Sequence, residues 1–302
     1  VTATEVAAVL GISPWDSAFN LYWRKRGEIP ETGDDDRLSL GRHLEPWIAD
    51  RWAAAHPQYR LQMGGLYASA ARPWQLATPD RLLIPAGEAS AGPVAVLEIK
   101  TSGSYDGWGV DGSDEIPPHY RAQVLWQADV LGLTGGDACG FVCCLFLSSR
   151  QIRTYRIAYD TADVAFMRGQ AEEFLDRLRG GVPPDIDAHT ATAAALRQLH
   201  PKVEDTTVEV DEDLAYTYRS AGEAVRDALT DKALVEAQLR AAMGNAKTAI
   251  DPAGAVVASR SVYSQTRIDR SRLCARWPQA FTDCQTTSTV DKITPARRKD
   301  PS

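Results

Sequence analysis

The chain has 302 residues, 44% of them hydrophobic, and a formal net charge of −7. That size fits one large domain with an appendage, and no apolar run approaches the ~20 residues that span a bilayer. The acidity counts against a protein that coats nucleic acid without catalysis, since such proteins carry a basic footprint.

The N-terminus is polar and helix-like from its first residues, so no secretory signal is expected. Thr2 and Glu5 form a capping box, followed by Val6, Val9 and Leu10 and closed by Gly11. Ser13-Pro14 reads as the cap and first position of a second helix carrying Trp15, Phe19, Tyr22, Trp23 and Arg26 up to Gly27. After an acidic loop over 28–36, Leu40, Leu44, Trp47, Ile48 and Trp52 give a third helix its apolar stripe, which ends at Pro57. Strands are expected over 61–68, 74–77, 81–84 and 94–101, and a loop rich in glycine and aspartate over 103–118. A helix over 118–131, a buried strand over 139–147, a strand over 151–158 and a helix from 161 to about 178 complete the series. The order predicts an α/β sandwich around a mixed central sheet.

Five cysteines, at Cys139, Cys143, Cys144, Cys274 and Cys284, are an odd number. Three of them lie in the apolar run that reads as the buried strand, so disulfides are not implied and a reducing cytoplasm fits. Their spacing does not suit a structural zinc site.

From Gly180-Gly-Val-Pro-Pro184 the composition turns to alanine, threonine and proline. We read 1–180 as the main domain, 181–207 as a linker and 208–302 as an extension. The extension predicts a helix over about 211–247, with a stripe of Leu214, Tyr218, Ala221, Val225, Leu229, Leu234 and Leu239. A hairpin over 256–262 and 265–268 follows, then a basic Arg297-Arg298-Lys299. There is no internal repeat.

The chemistry concentrates at Pro79-Asp80 and Val94-Ala-Val-Leu-Glu-Ile-Lys100. Period-two alternation places Glu98 and Lys100 on one face of their strand, with Leu97 and Ile99 on the other. Two converging carboxylates resist full ionisation unless a cation sits between them. An all-oxygen site suits Mg²⁺ or Mn²⁺ over zinc, and a neighbouring lysine can hold water or neutralise phosphate. That combination is what a magnesium-dependent phosphodiesterase needs. A buried strand emerging into solvent with a surface ion pair would give the same short pattern.

Three further features bear on the same spot. Glu45 shares a helix face with Ile48 and Trp52, where a carboxylate costs free energy unless paired; a border position is the plainer reading. Thr78 lies close enough to Asp80 for its hydroxyl to reach a phosphate, or is simply a strand threonine. Tyr120, Gln123 and Gln127 form one stripe of the 118–131 helix, where glutamine can bind phosphate or water without adding charge. For Gln127 plain helix surface is the preferred reading.

In order, the segments are Thr4-Glu-Val-Ala-Ala-Val-Leu-Gly-Ile-Ser-Pro-Trp15, Gly41-Arg-His-Leu-Glu45, Ala77-Thr-Pro-Asp80, Leu97-Glu-Ile-Lys100 and His119-Tyr-Arg-Ala-Gln-Val124. Over roughly residues 1–180 they resemble the YqaJ-type viral recombinases, the phage-lambda-exonuclease-like members of the PD-(D/E)xK nucleases. The resemblance implies a restriction-endonuclease-like core with a mixed central sheet flanked by helices, here with a helical and hairpin extension. It implies Asp80, Glu98 and the Ile99 carbonyl as ligands of Mg²⁺ or Mn²⁺, with Glu45 as a further acid beside the metal. Lys100 is implied to position the attacking water, and Gln123, with Tyr120 near it, to organise the phosphate. Thr4 and Thr78 fall where the family places small hydroxyl residues near DNA phosphate, and Ser13 is grouped with them.

The activity implied is exonuclease digestion of linear double-stranded DNA from its 5′ end in a phage-type recombination system. A ring-shaped homotrimer and a single-strand annealing protein as partner are implied too. Alternatives are a structure-specific or restriction-like endonuclease on the same fold, and a non-catalytic recombination or CRISPR-adaptation factor. An iron–sulfur nuclease is disfavoured because its cysteine pattern is missing. In the lambda-like exonucleases an arginine just upstream of the Thr4 segment helps hold the terminal 5′-phosphate; this sequence begins at Val1, so the resemblance leaves a 5′-phosphate preference open. A start codon read literally, a fragment and an upstream start all fit that beginning.

Overall fold

The computed structural model describes residues 1–31, 33, 36–87, 91–136, 138–288 and 290–294. The Arg297-Arg298-Lys299 run lies outside the described residues. Two units are present, Val1–Val203 and Glu204–Ser302.

The first unit is built on a five-stranded sheet in the order β1-β4-β5-β6-β7. Its strands are β1 (Tyr59–Met63), β4 (Arg81–Pro85), β5 (Ala95–Ser102), β6 (Gly140–Phe146) and β7 (Gln151–Ile157). Only β5 and β6 run parallel, with Ile99 opposite Cys143; the other neighbours are antiparallel. The mixed sheet expected from the sequence is the one found. β6 is buried along its whole length, as a central strand covered on both faces must be, and Cys139, Cys143 and Cys144 are buried free thiols.

Helices cover the two faces of the sheet. On one, Ile48, Ala49 and Trp52 of α3 (Asp36–Ala55) pack on Leu97, Ile99, Phe141 and Cys143. Each large apolar side chain buried there contributes about 1.5–3 kcal/mol. On the other face α4 (Pro118–Leu131) and α5 (Thr161–Gly180) join one core with Val96, Val142 and Cys144. α4 is buried from Ala122 to Val130 without a break. It is therefore a helix enclosed on all sides, and every polar side chain in that stretch must find a partner inside the protein.

Several boundaries differ from the sequence reading. The helix expected from Ser13-Pro14 begins later: α2 is Ala18–Lys25, capped by buried Ser17, whose side chain accepts from the Asn20 N–H. α1 (Val6–Val9) keeps half of the expected capping box, with Glu5 accepting from the Thr2 N–H. The strand expected over 61–68 divides into β1 and β2 (Tyr67–Ala68), and β2 pairs with β3 (Leu76–Ala77) in a separate two-stranded sheet. The break falls at Gly64, where an added Cβ would lie 1.7 Å from the Pro79 carbonyl oxygen. The 181–207 segment, expected as a linker, contains α6 (Thr190–Leu199). Ala195 of α6 is fully buried with Phe19 and Ile29, and Leu196 and Leu199 pack on them. That short stripe is diluted by the surrounding alanines and threonines in sequence.

In the second unit α7 (Glu212–Met243) is capped by Asp211, has no buried residue, and exposes Leu214, Val225 and Leu229. The hairpin forms earlier than expected, from β8 (Thr248–Ile250) and β9 (Val256–Ser259). Asp251 accepts from the N–H groups of Ala253 and Ala255, and Gly254 has φ 85°, so Asp-Pro-Ala-Gly makes the turn. The 265–268 segment is not a strand; α8 (Arg270–Arg276), capped by Asp269, and α9 (Pro278–Asp283) follow it.

Candidate active site

β5 is longer than the strand beside it. β4 pairs only with Ala95 to Leu97, so from Glu98 onward that edge of β5 lacks a ladder partner. Asp80, the residue just before β4, fills the gap: its Oδ2 accepts from the Ile99 N–H at 2.7 Å. The N–H and C=O of one strand residue leave on the same side, so the Ile99 carbonyl turns toward the same edge as Asp80.

Glu98 points to the opposite layer and meets α4. Its Oε1 accepts from Lys100 Nζ at 2.5 Å and from Gln123 Nε2 at 2.6 Å, and its Oε2 accepts from Gln127 Nε2 at 2.8 Å. Gln127 is thus fully buried against Glu98 and is not helix surface, a correction to the sequence reading. It lies one turn beyond Gln123, in a helix enclosed on all sides, so the interior position was hidden by reading the helix as amphipathic.

In the sequence Arg81 simply begins an apolar strand. It is buried, donating to Glu45 Oε1 at 2.7 Å and to the Asp80 carbonyl at 2.6 Å. A single guanidinium therefore ties the α3 acid to the peptide that carries Asp80. The signal available was a charge at the head of Leu82-Leu-Ile84, which in a buried strand requires a partner.

A cavity of about 370 Å³ is lined, among others, by Asp80, Glu98, Lys100, Glu45, Ile99, Gln123, Tyr120, Thr4 and Ser13. Thr4 is exposed on its wall, its Oγ1 3.1 Å from that of Thr2. The Ser13 Oγ accepts from the N–H groups of Trp15 and Asp16, so Ser13 shapes a turn and does not cap a helix. Thr78 is exposed and outside the lining. Thr78 and Asp80, two residues apart with Pro79 between, are thus not brought to one wall.

The electrostatics are unbalanced toward negative charge at Asp80. Burial, then the charge of Glu98, pushes its carboxyl up to about 8. Burial opposes the charge on Lys100, yet Glu98 and Asp80 outweigh it and hold its ammonium above the ordinary lysine range. The Lys100 ammonium also lies 5.0 Å from the centroid of the Tyr120 ring. His119, beside them, is pushed down to about 4 by burial and by Lys100, so its ring is neutral at neutral pH.

The donor set is two carboxylates and a backbone carbonyl, all oxygen, in a site whose own cation does not offset the burial of Asp80. That fits Mg²⁺ or Mn²⁺. Among the described residues no three His, Cys, Asp or Glu side chains form a metal cluster. Mg²⁺ tolerates this, because it keeps water and substrate phosphate as ligands and needs only one or two carboxylates.

A sheet edge bearing acid, acid and lysine is the arrangement that defines the PD-(D/E)xK class. Residues 1–136 match the family model of the YqaJ-like viral recombinase domain, so the family that the motifs resemble is the one that matches. The chain is 22% identical over 209 residues to the uncharacterized protein YqaJ of Bacillus subtilis (strain 168), covering 68% of this chain. It spans 61% of that relative's length. Among solved structures it is similar to an alkaline exonuclease (LHK-Exo) from Laribacter hongkongensis. The TM-score is 0.46 at 20% identity, over 60% of this chain and 88% of that one. The same exonuclease in complex with dAMP gives a TM-score of 0.47 over the same shares.

Proposed function

We propose that the first unit is a deoxyribonuclease that hydrolyses phosphodiester bonds with Mg²⁺ or Mn²⁺, acting as an exonuclease from the 5′ ends of linear duplex DNA. The observation that carries it is the meeting of Asp80, Glu98 and Lys100 in one cavity, with Glu98 held by three donors.

Asp80, Glu98 and the Ile99 carbonyl are the groups that would hold the cation. When bound it polarises the scissile phosphate and acidifies water. The protein's own part is positioning. Gln123 and Gln127 fix the Glu98 carboxylate in one orientation, and Glu98 in turn holds the Lys100 ammonium on the cavity side. Lys100 then donates a hydrogen bond to the attacking water or to a phosphate oxygen, where negative charge grows. Gln123 and the hydroxyls of Thr4 and Ser13 line the same wall as uncharged partners for phosphate. Arg81 neutralises Glu45 and anchors the Asp80 peptide, so neither acid is free to drift.

The test uses 5′-end-labelled linear duplex and relaxed circular DNA of one sequence, each with Mg²⁺ and with EDTA. The proposal expects mononucleotides released from linear DNA with Mg²⁺ alone, and an intact circle. Cutting of the circle would assign an endonuclease on the same fold, and degradation in EDTA would remove the metal from the scheme. A ring-shaped homotrimer and a single-strand annealing partner belong to the same proposal. Sedimentation at micromolar concentration tests the ring, and a strict monomer would end it.

A further inference from the structure

Trp15 has no part in holding a metal or moving a proton, yet it stands in the cavity wall with 51% of its surface exposed. A ring of that size gains most by being covered. Its place is set by the fold: Ser13 Oγ accepts the Trp15 and Asp16 N–H groups, and the Asp16 carboxylate is held by Asn20 and by the Arg24 guanidinium. His119 meets the indole edge-on with centroids 4.8 Å apart, and Tyr120 lies 6.0 Å away at a tilt.

Cations accompany these rings. The Arg37 guanidinium lies 5.4 Å from the Trp15 ring centroid, and the Lys100 ammonium 5.0 Å from that of Tyr120. Aromatic faces interleaved with cations form the stacking surface that single-stranded nucleic acid recognises irrespective of base. The cavity's 370 Å³ is at the small end of ligand pockets, about 300–1,000 Å³, with room for one nucleotide and not for a base pair with both backbones.

We propose that Trp15, braced by His119 and Tyr120, is a stacking platform for an unpaired nucleobase of the strand being cut. The platform rests on the nuclease reading for its ligand. It replaces the stacking that a base loses on leaving the duplex, and it reads the π-face common to all four bases, giving grip without sequence preference.

The test is a cycle between protein and substrate. Oligonucleotides carrying one abasic site at successive positions from the digested end are cut by wild type, Trp15→Ala and Trp15→Phe in Mg²⁺. Their binding is measured in EDTA by fluorescence anisotropy. The platform expects one abasic position to weaken wild type by about 5- to 150-fold, the range that base–aromatic stacking carries. Trp15→Ala should lose a similar factor on intact DNA and nothing more on that abasic substrate, while Trp15→Phe keeps most of the activity. Losses that simply multiply, or a wild type indifferent to every abasic position, overturn it. The wild-type abasic series needs no variant to fold. If the cycle appears in binding but no DNA is cut, the platform stands and the nuclease reading falls.

Discussion

Two carboxylate centres adjoin α4, one at Asp129 within the helix and one at Asp80 and Glu98 beside it, and they are treated in opposite ways. Asp129 accepts from Gln75 Nε2 at 2.7 Å, Arg168 Nε at 2.8 Å, Tyr159 Oη at 3.0 Å and Arg72 Nη2 at 3.2 Å. Burial works against its charge, but Arg168, Gln75 and Tyr159 outweigh burial and hold the carboxyl below the ordinary range. Asp80 is half-buried, accepts the Ile99 N–H, and is pushed up to about 8. The fold can evidently satisfy a buried acid completely. At Asp80 it does not, and the shortfall lies where a cation would make it good.

The largest expected effect comes from removing the unsatisfied charge. Asp80→Asn should lower cleavage on the order of 10³-fold, comparable to deleting a principal electrostatic group, while thermal stability without metal holds or rises at pH 8. A carboxyl whose folded value exceeds its unfolded value binds more protons in the folded state between the two. Metal-free wild type should therefore lose stability as pH climbs from about 4 to about 8. Melting temperatures across that window in EDTA check this, and Mg²⁺ should raise them most at the alkaline end. A variant that melts far below wild type at pH 8 would mean that Asp80 is structural.

Asp129→Asn should do the reverse. It leaves the Arg168 and Arg72 guanidiniums without their counter-charge and with one acceptor oxygen in place of two, and should cost about 3 kcal/mol, read from denaturant unfolding, with cleavage per folded molecule nearly unchanged. Asp129 is depressed in the folded state. Its contribution is present above its ordinary value near 3.8 and is lost as pH falls through the lower folded value. The variant's stability should accordingly be flatter at the acid end. If Asp129→Asn impairs cleavage as much as stability, the division between the two centres fails.

How much of this was legible in sequence follows from the range of each signal. The alternation of β5 was enough to send Glu98 and Lys100 to one layer and Leu97 and Ile99 to the other, because a strand's faces are set by its own residues. The partners of those acids were not local. Arg81 looked like the first residue of a strand because nothing near it in sequence shows that Glu45 will come to its guanidinium. Gln127 looked like surface because an enclosed helix has no polar face to distinguish from an apolar one. Ser13 and Ser17 are both competent caps for α2, and what distinguishes Ser17 is a hydrogen bond from the Thr192 hydroxyl of α6, far along the chain.

The next effect in size concerns how the Asp80 peptide is placed. A side chain at position 64 would meet the Pro79 carbonyl, and the Gly64 N–H donates to the Asp80 carbonyl at 3.2 Å. Gly64→Ala should displace Pro79-Asp80, costing about 1–3 kcal/mol as overpacking and on the order of 10² in cleavage through misplacement of the acid. Asp129, carried by a helix and not by a turn, has no such dependence. Melting curves and single-turnover rates separate the two costs, and a normal rate in Gly64→Ala would show that the turn has slack.

The smallest effect is the sharpest probe of the contrast, because Gln127 contributes one of three donors to Glu98 and lies outside the residues that line the cavity. Replacing it with leucine keeps the volume roughly and removes the hydrogen bond to Oε2, leaving Lys100 and Gln123 on Oε1. The carboxylate then has a face free to turn, so the Mg²⁺ concentration for half-maximal cleavage should rise about tenfold, as expected for a partner behind a metal ligand. The rate at saturating Mg²⁺ should move much less, since the cation itself can restore the orientation. A drop in that saturating rate with no change in Mg²⁺ demand would place Gln127 in the phosphate's environment instead. An unchanged Mg²⁺ titration would leave it as packing, and would mean that two donors suffice to hold Glu98 where Asp129 is held by four partner residues.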